Sequence, residues 1–402
     1  RPHPIKPCVK PVDPNLLFNK SRPEPKRGDP NLVCIGEVFN HRYEVVRRLG
    51  SGDWSTVWLG WDQKERIFVA LKVSKETRSK ALHEVDIYNQ VNTFIEEDET
   101  EDSHSNSIIR MLDYFEGQIA GGINTVIVFE VLGKDLLSLI TYPNGALTYK
   151  GIPIHRVKKI AKYTLQGLAY LHEVTKVFHC DLKPENVLLS CSNQEQMDGI
   201  KEVLERYMAL KTDGTQPQSL TDDDVRNYLN ISYEDPNAVK IIDLGASRAI
   251  GDTLYSVDMI QTLEYRSPEV VLGFSPVSTP IDVWSLACII WEMLTGVYLF
   301  NPGDDKPRNP VHVGLFISRL GELPMHMTRA EGKHVQYFFD SHGHFRYQKY
   351  AHQGFEELTT KHGFSEEEAE EVVNFLLPML EYDPNVRVTA LDHLHHPWLQ
   401  GV

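Results

Sequence analysis

Read for the spacing of apolar and polar positions, the chain changes character about a third of the way along. From "IGEVFNHRYEVVRRLGSGDWSTVWLGWD" to "FVALKVSK", short runs rich in Val, Tyr, Phe and Trp alternate with Gly and Asp turns, which predicts an antiparallel sheet. In "SKALHEVDIYNQVNTFI", Ala81, Leu82, Val85, Tyr88 and Val91 recur at helical spacing, so a helix should pack on that sheet. The acidic "EEDETEDSHSNS" reads as a solvated loop, and "IIRMLDYFE" and "TVIVFEVLG" read as two more strands. From Leu136 onward the pattern is largely helical: "HRVKKIAKYTLQGLAYLHEV", "PIDVWSLACIIWEMLTG", "PVHVGLFISRLGEL" and "SEEEAEEVVNFLLPMLEY" each show three-and-four spacing or continuous burial. The expected architecture is α+β, with a small β-rich lobe, a switch near residues 129–134, and a larger α-helical lobe.

Two segments stand outside this pattern. Residues 1 to 30 carry repeated prolines and mixed charges, too little apolar surface to bury and too many breaks for a helix, so they read as an extended arm. An acidic segment between Leu189 and Val239 reads as an insertion, with one amphipathic stretch ("MDGIKEVLERYMAL") and a second helix capped near Thr221. The expected organisation is an extension over 1–34, a first lobe over 35–132 and a second over 133–402, interrupted by the insert at about 190–238. No internal repeat is found.

Composition narrows the function classes. A chain of 402 residues exceeds one compact domain, and its 41% hydrophobic and 24% charged residues suit a folded protein with large cores. A formal net charge of -15 argues against direct nucleic-acid binding, which needs clustered Lys and Arg. It suits basic partners, or serves solubility alone. The five cysteines show neither a C-x-x-C pair nor zinc-ligand spacing, so free thiols in a reducing compartment are expected. No apolar run approaches the roughly 20 residues that span a bilayer. The chain begins at Arg1 and shows no signal peptide, which leaves any targeting signal upstream open.

Chemistry concentrates in four places. "LGSGDWSTVWLG" sets Gly50 and Gly52 between two strands, where backbone N–H groups would approach a phosphate, or where the chain simply turns; Ser55 stands where a third glycine would complete G-x-G-x-x-G. In "VALKV", Lys72 interrupts an apolar strand. Either it faces solvent from an edge, or it points inward and needs an anion, for which Glu84 on the following helix is the candidate. "HCDLKPENVLL" and "KIIDLGAS" then supply Asp181, Lys183, Asn186 and Asp243 beside strand-like runs. Asn186 and Asp243 offer hard oxygens suited to Mg2+. Asp181 can orient a hydroxyl and accept its proton, while Lys183 can neutralise a transferred phosphoryl group.

In this order the residues resemble the protein kinase signature set, over about residues 43 to 399. The resemblance implies ATP and Mg2+ as cofactors, with ATP held by Leu49, Gly50, Ser51, Gly52, Val57, Ala70, Lys72 and Glu84. It implies Phe129 as gatekeeper and Glu130 and Leu132 in a hinge that meets adenine through backbone groups. "TLEYRSPEV" is similar to the end of an activation segment, where Thr262 would bond the catalytic aspartate as in Ser/Thr kinases. Glu269 and Arg387 match a buried ion pair, and Asp282 matches the carboxylate that holds the catalytic-loop backbone. Within the superfamily, "WSTVWLGWD", "VIVFEVLGKDLLSLI", "IQTLEYRSPEVVLG" and "FLLPMLEYDPNVRVTALDHLHHPWL" look like the SR-protein kinases, which phosphorylate serines in arginine/serine-rich splicing factors. Basic or RS-rich protein substrates, a monomer, no membrane or nucleic-acid partner, and a cytoplasmic and nuclear location follow as implications.

The chain also departs from that family. Asp304 and Asp305 remain where the family carries a groove of acids, but the following positions hold Pro, Arg, Asn and Val, so docking of long RS tracts is open. "DLGAS" puts Leu244 in place of the usual phenylalanine, and "RSPEV" puts a proline before Glu269. Cys180 replaces the arginine that would bind an activation-loop phosphate, so no such phosphate is expected to be needed. Two rival readings are a LAMMER-type or dual-specificity kinase, whose "EHLAMMER" text is absent, and a catalytically silent scaffold, against which the intact metal ligands speak.

Overall fold

The computed structural model describes residues 33–52, 54–75, 78–98, 104–119, 122–141, 151–190, 239–252, 260–303 and 310–402. The proline-rich arm up to residue 32, the two helices expected in the insert, Asp304, Asp305, Cys8 and Cys191 lie outside the described residues.

Six antiparallel strands build the first lobe: β1 (Val38–Phe39), β2 (Tyr43–Ser51), β3 (Ser55–Asp62), β4 (Ile67–Ser74), β5 (Met111–Ile119) and β6 (Gly122–Phe129), in the order β1-β2-β3-β4-β6-β5. Strand period 2 divides β4 between two faces. Val69, Leu71 and Val73 join Val45, Trp58, Val126 and Val128 in a cluster of their own. Ala70 and Lys72 point the other way. Helix α1 (Arg78–Glu97) covers that second face with Ala81, Val85, Tyr88, Val91 and Ile95, as its spacing predicts.

The run "IIRMLDYFE" is only partly a strand of this sheet. Ile108 bridges to Ile241 in parallel and the Ile109 N–H donates to the Ile241 carbonyl at 3.0 Å, so these residues tie the lobes together and β5 starts at Met111. Likewise β6 stops at Phe129, and the apolar residues after it form the connection: the Gly133 N–H donates to Leu189 O at 2.8 Å. Apolar runs alone do not distinguish a strand from a buried crossing segment.

The second lobe follows with α2 (Leu136–Thr141), α3 (Ile154–Ala169), β7 (Val177–Phe178), β8 (Val187–Leu189), β9 (Val239–Ile241), β10 (Arg248–Ala249), α4 (Pro268–Leu272), α5 (Pro280–Thr295) and α6 (Pro310–Leu320). Short helices α7 (Met325–Thr328), α8 (Val335–Phe338) and α9 (Glu357–Thr360) lead to α10 (Glu366–Leu376) and α11 (Ala390–His393). Apolar on nearly every side, α5 is the core helix: Trp284 stacks on Phe300 with ring centroids 5.6 Å apart and meets Phe316 edge-on at 5.3 Å. Helix α10 starts at a capping box in which Ser365 and Glu368 exchange side-chain-to-backbone hydrogen bonds.

Charge in this core is paired. Arg387 makes a bidentate bridge to Glu269 (2.7 and 2.9 Å), and its remaining donors reach the carbonyls of Pro280, Glu381 and Tyr382. With every donor satisfied the guanidinium tolerates burial, whereas removing the carboxylate would strand it. Among the described residues, no helix is long and apolar enough to cross a membrane.

Candidate active site

Strand register assembles one wall of the site. Val57 faces Lys72 across β3 and β4, and Ala70 faces Phe129 across β4 and β6, so all four side chains share the sheet face turned away from the Leu71 cluster. Phe129 is buried and packs edge-on against Tyr88 of α1, at 4.9 Å between centroids. The Glu130 side chain turns aside to accept from Lys240 Nζ (2.8 Å) and the Arg110 N–H (3.2 Å). Leu132 is buried in the same core cluster as Phe129.

Leu49, Gly50 and Ser51 end β2, and Gly52 opens the turn to β3. Gly50 pairs with Val57 and Gly52 N–H donates to Ser55 O, while Lys75, which the sequence did not single out, ties the turn down through Ser51 Oγ (3.0 Å) and Gly52 O (2.8 Å). A Cβ added at Gly50 or Gly52 would meet no atom within 4 Å, and neither has a positive φ. The protein's own packing does not demand these glycines.

Lys72 settles between two carboxylates, with Nζ 2.6 Å from Glu84 Oε1 and 2.7 Å from Asp243 Oδ1. β4 is interior to the sheet, which removes the solvent-facing alternative for this lysine. Burial opposes its charge, but Asp243 and Glu84 more than offset that and hold the ammonium above its usual range. Burial likewise pushes the Asp243 carboxyl up, and the Lys72 ammonium, with Lys183 and His179 nearby, outweighs it so that the group lies below the usual carboxylate range. Asp243 is in the left-handed region (φ 63°), which swings its carboxylate out of β9's line toward Lys72. Next to it, buried Leu244 donates its N–H to the Tyr88 hydroxyl at 3.2 Å.

Asp181 is fixed from both sides. Its Oδ1 accepts from the Thr262 hydroxyl (2.7 Å) and N–H (3.0 Å), and its Oδ2 lies 3.0 Å from Lys183 Nζ. Asn186 donates its amide N–H to the Asp181 carbonyl at 2.9 Å, leaving its amide oxygen for a hard cation. The Ile242 N–H donates to the Asn186 carbonyl at 2.9 Å, so the Asn186 and Asp243 loops are held together. These two oxygens, from an amide and an ionised carboxylate, fit Mg2+.

The loop that carries Asp181 owes its shape to buried Asp282, which accepts from the His179 N–H (2.7 Å), the Cys180 N–H (3.1 Å) and His172 Nε2 (2.9 Å). The sequence alone gives His179 no evident role. Its Nε2 lies 2.8 Å from Ile242 O and its Nδ1 accepts from the Asp181 N–H at 3.2 Å, so one ring braces the loops of Asp181 and Asp243. Cys180 is fully buried with φ 67°, and burial, with Asp282 adjacent, pushes its thiol up, away from thiolate chemistry. Gln261 (φ 58°), also missed, donates its backbone N–H to Cys180 O and its amide to the Tyr265 and Ile281 carbonyls and Ser285 Oγ. Neither the positive φ of a non-glycine residue such as Gln261 nor a ring that braces two loops by tertiary contact, as His179 does, leaves a mark in the sequence.

The described parts of the segment 243–269 are held by neutral bonds of Gln261, Ser267 and Leu244 and also by charged groups, Asp243 with Lys72, Thr262 on the Asp181 carboxylate and Glu269 with Arg387. Arg248 and Arg266 add guanidinium donors to the carbonyls of Ala246, Ser247, Ile260 and Gln261.

Comparison with known proteins agrees with this geometry. The protein kinase domain family matches residues 43–202 and 224–399. The serine/threonine-protein kinase SRPK of Physarum polycephalum is 35% identical over 94% of this chain and 90% of its own length. Protein kinase dsk1 of Schizosaccharomyces pombe is 30% identical (93% and 84% covered), and SRSF protein kinase 3 of Mus musculus 28% (91% and 88%).

Proposed function

Since the chain belongs to the protein kinases, in their SR-protein kinase branch, we propose that it transfers the γ-phosphate of ATP to serines of basic, arginine/serine-rich proteins such as splicing factors. It is a serine/threonine kinase. The observation that carries the reading is the double fixing of Asp181 between Thr262 and Lys183, beside a lysine clamped by Glu84 and Asp243.

In this reading the backbone of 49–52 covers the phosphates, Val57, Ala70, Phe129 and Leu132 enclose the adenine, and Glu130 and Leu132 offer backbone groups to its edge. Lys72, oriented by Glu84, binds phosphate oxygens. Asn186 and Asp243 would hold Mg2+, which would supply charge neutralisation to the phosphates. Asp181 orients the substrate hydroxyl and takes its proton, and Lys183 balances charge on the transferring group. Thr262 keeps the Asp181 carboxylate in one rotamer, and Glu269, Asp282 and Arg387 hold the supporting backbone.

The organisation we propose is an extension to residue 34, an N-lobe over 35–132 and a C-lobe over 133–402 with the insert at 190–238, working as a monomer in cytoplasm and nucleus. The net charge of -15 supports a preference for basic substrates. A peptide array with Mg-ATP tests it: RS-rich peptides should be phosphorylated on serine in preference to acidic or proline-directed ones, and the reverse order would overturn the substrate assignment.

A further inference from the structure

Among the described residues outside that site, Asp340, His342 and His344 bring together ligand chemistry that phosphoryl transfer does not use. After α8 the chain makes a tight turn through "DSHGH", closed by a bridge between Phe339 and Phe345, whose buried rings lie 5.8 Å apart. The turn is held from several directions. The Asp340 N–H donates to His344 O and the Gly343 N–H to Asp340 O, both at 3.0 Å, and Arg329 donates twice to His342 O (3.1 and 2.8 Å).

Within this frame, Asp340, His342 and His344 each present a potential ligand atom, all within 4.8 Å of one another. Asp340 Oδ1 is taken up by the backbone N–H groups of His342 (2.8 Å) and His344 (2.9 Å), which hold the carboxylate in place and leave Oδ2 outward. Oδ2 lies 3.4 Å from His344 Nδ1, and the two imidazoles stack with centroids 6.0 Å apart. Ligands about 2.0–2.1 Å from a tetrahedral zinc are about 3.3–3.4 Å apart, so the Asp340–His344 pair already spans one edge of such a site. The His342 ring, on an exposed residue, closes the third corner by swinging inward roughly 1–2 Å.

We propose that Asp340, His342 and His344 form a surface site for a divalent transition-metal ion of the Zn2+ type, with the remaining coordination position open to solvent. Two imidazoles and one carboxylate select such an ion over Mg2+ or Ca2+, which take all-oxygen sets. Backbone amides fixing the ligating carboxylate are the outer shell such sites use. The Arg329 guanidinium works against a cation here, and its two hydrogen bonds to His342 O hold it on the carbonyl side of the turn.

The test is Zn2+ titration of the whole protein by calorimetry, without ATP and in a non-chelating buffer, with the visible spectrum of Co2+ as a second readout. Wild type should take up one ion that the His342→Asn/His344→Asn double variant lacks, and each single variant should bind at least about tenfold more weakly. Metal-free thermal midpoints of wild type and variants should coincide, because both rings are exposed. Equal stoichiometry and affinity in wild type and double variant, or no binding by wild type, would overturn the proposal. Neither result bears on the kinase reading.

Discussion

Glu292 lies buried on α5 with the Tyr265 hydroxyl 2.7 Å from its carboxylate. Burial pushes its carboxyl up from 4.5 to about 7, with Glu185 and Glu264 pushing the same way and the Tyr265 hydrogen bond opposing them. The folded protein therefore keeps a proton that the unfolded chain gives up above about pH 4.5. Stability falls as pH rises between those two values. A rise of about 2.5 units at about 1.4 kcal/mol each sets the full cost at about 3.5 kcal/mol, complete above about pH 8. Glu292→Gln is uncharged at every pH and keeps an acceptor for Tyr265. Thermal melts of wild type and variant should nearly coincide at about pH 5, while at about pH 8.5 the variant should melt higher by about 5 °C. A variant no more stable than wild type at the higher pH would show that the carboxylate ionises there without penalty, and the reasoning from burial would fail.

Three other outcomes are expected. Glu269→Gln leaves the Arg387 guanidinium buried without its counter-charge and should cost about 3–5 kcal/mol in denaturant unfolding; a cost below about 1 kcal/mol would count against a buried pair. Asp282→Asn loses one anionic acceptor for two loop N–H groups and His172, so kcat should fall at least about tenfold with the melting point lowered by only a few degrees; unchanged kcat would mean the loop holds its shape without it. Bacterially made enzyme treated with phosphatase should keep its activity within about tenfold, since buried Cys180 offers no cation to a phosphate; a larger loss would show that the segment 243–269 does need phosphate.

Much of the site could be read from sequence because its parts lie on short runs whose flanking pattern is strong. Lys72 stands out as a charge in an apolar strand, and Asp181, Lys183 and Asn186 fall within six residues before β8. The resemblance to kinases added pairings that spacing alone does not supply, such as Glu269 with Arg387 across 118 residues. What escaped is set by backbone conformation and tertiary contact. Gln261, Cys180 and Asp243 adopt positive φ without a glycine, and the His179 ring braces two loops from a position that sequence shows only as a polar neighbour. The crossing of Ile108 to β9 was hidden for a different reason, because an apolar run reads alike in a strand and in a segment buried between lobes.

On the reading proposed above, Asp181, braced by Thr262 and Lys183, carries phosphoryl transfer to serine. The most direct test is the initial rate of phosphate transfer from Mg-ATP to an RS-repeat peptide by wild type and by Asp181→Asn, with the modified residues identified by mass spectrometry. Wild type should yield phosphoserine, and the rate should be lower by about 10²–10⁴-fold in the variant, whose neutral side chain fills the same place without accepting the proton. Equal rates from the two proteins, or no transfer by wild type, would contradict it.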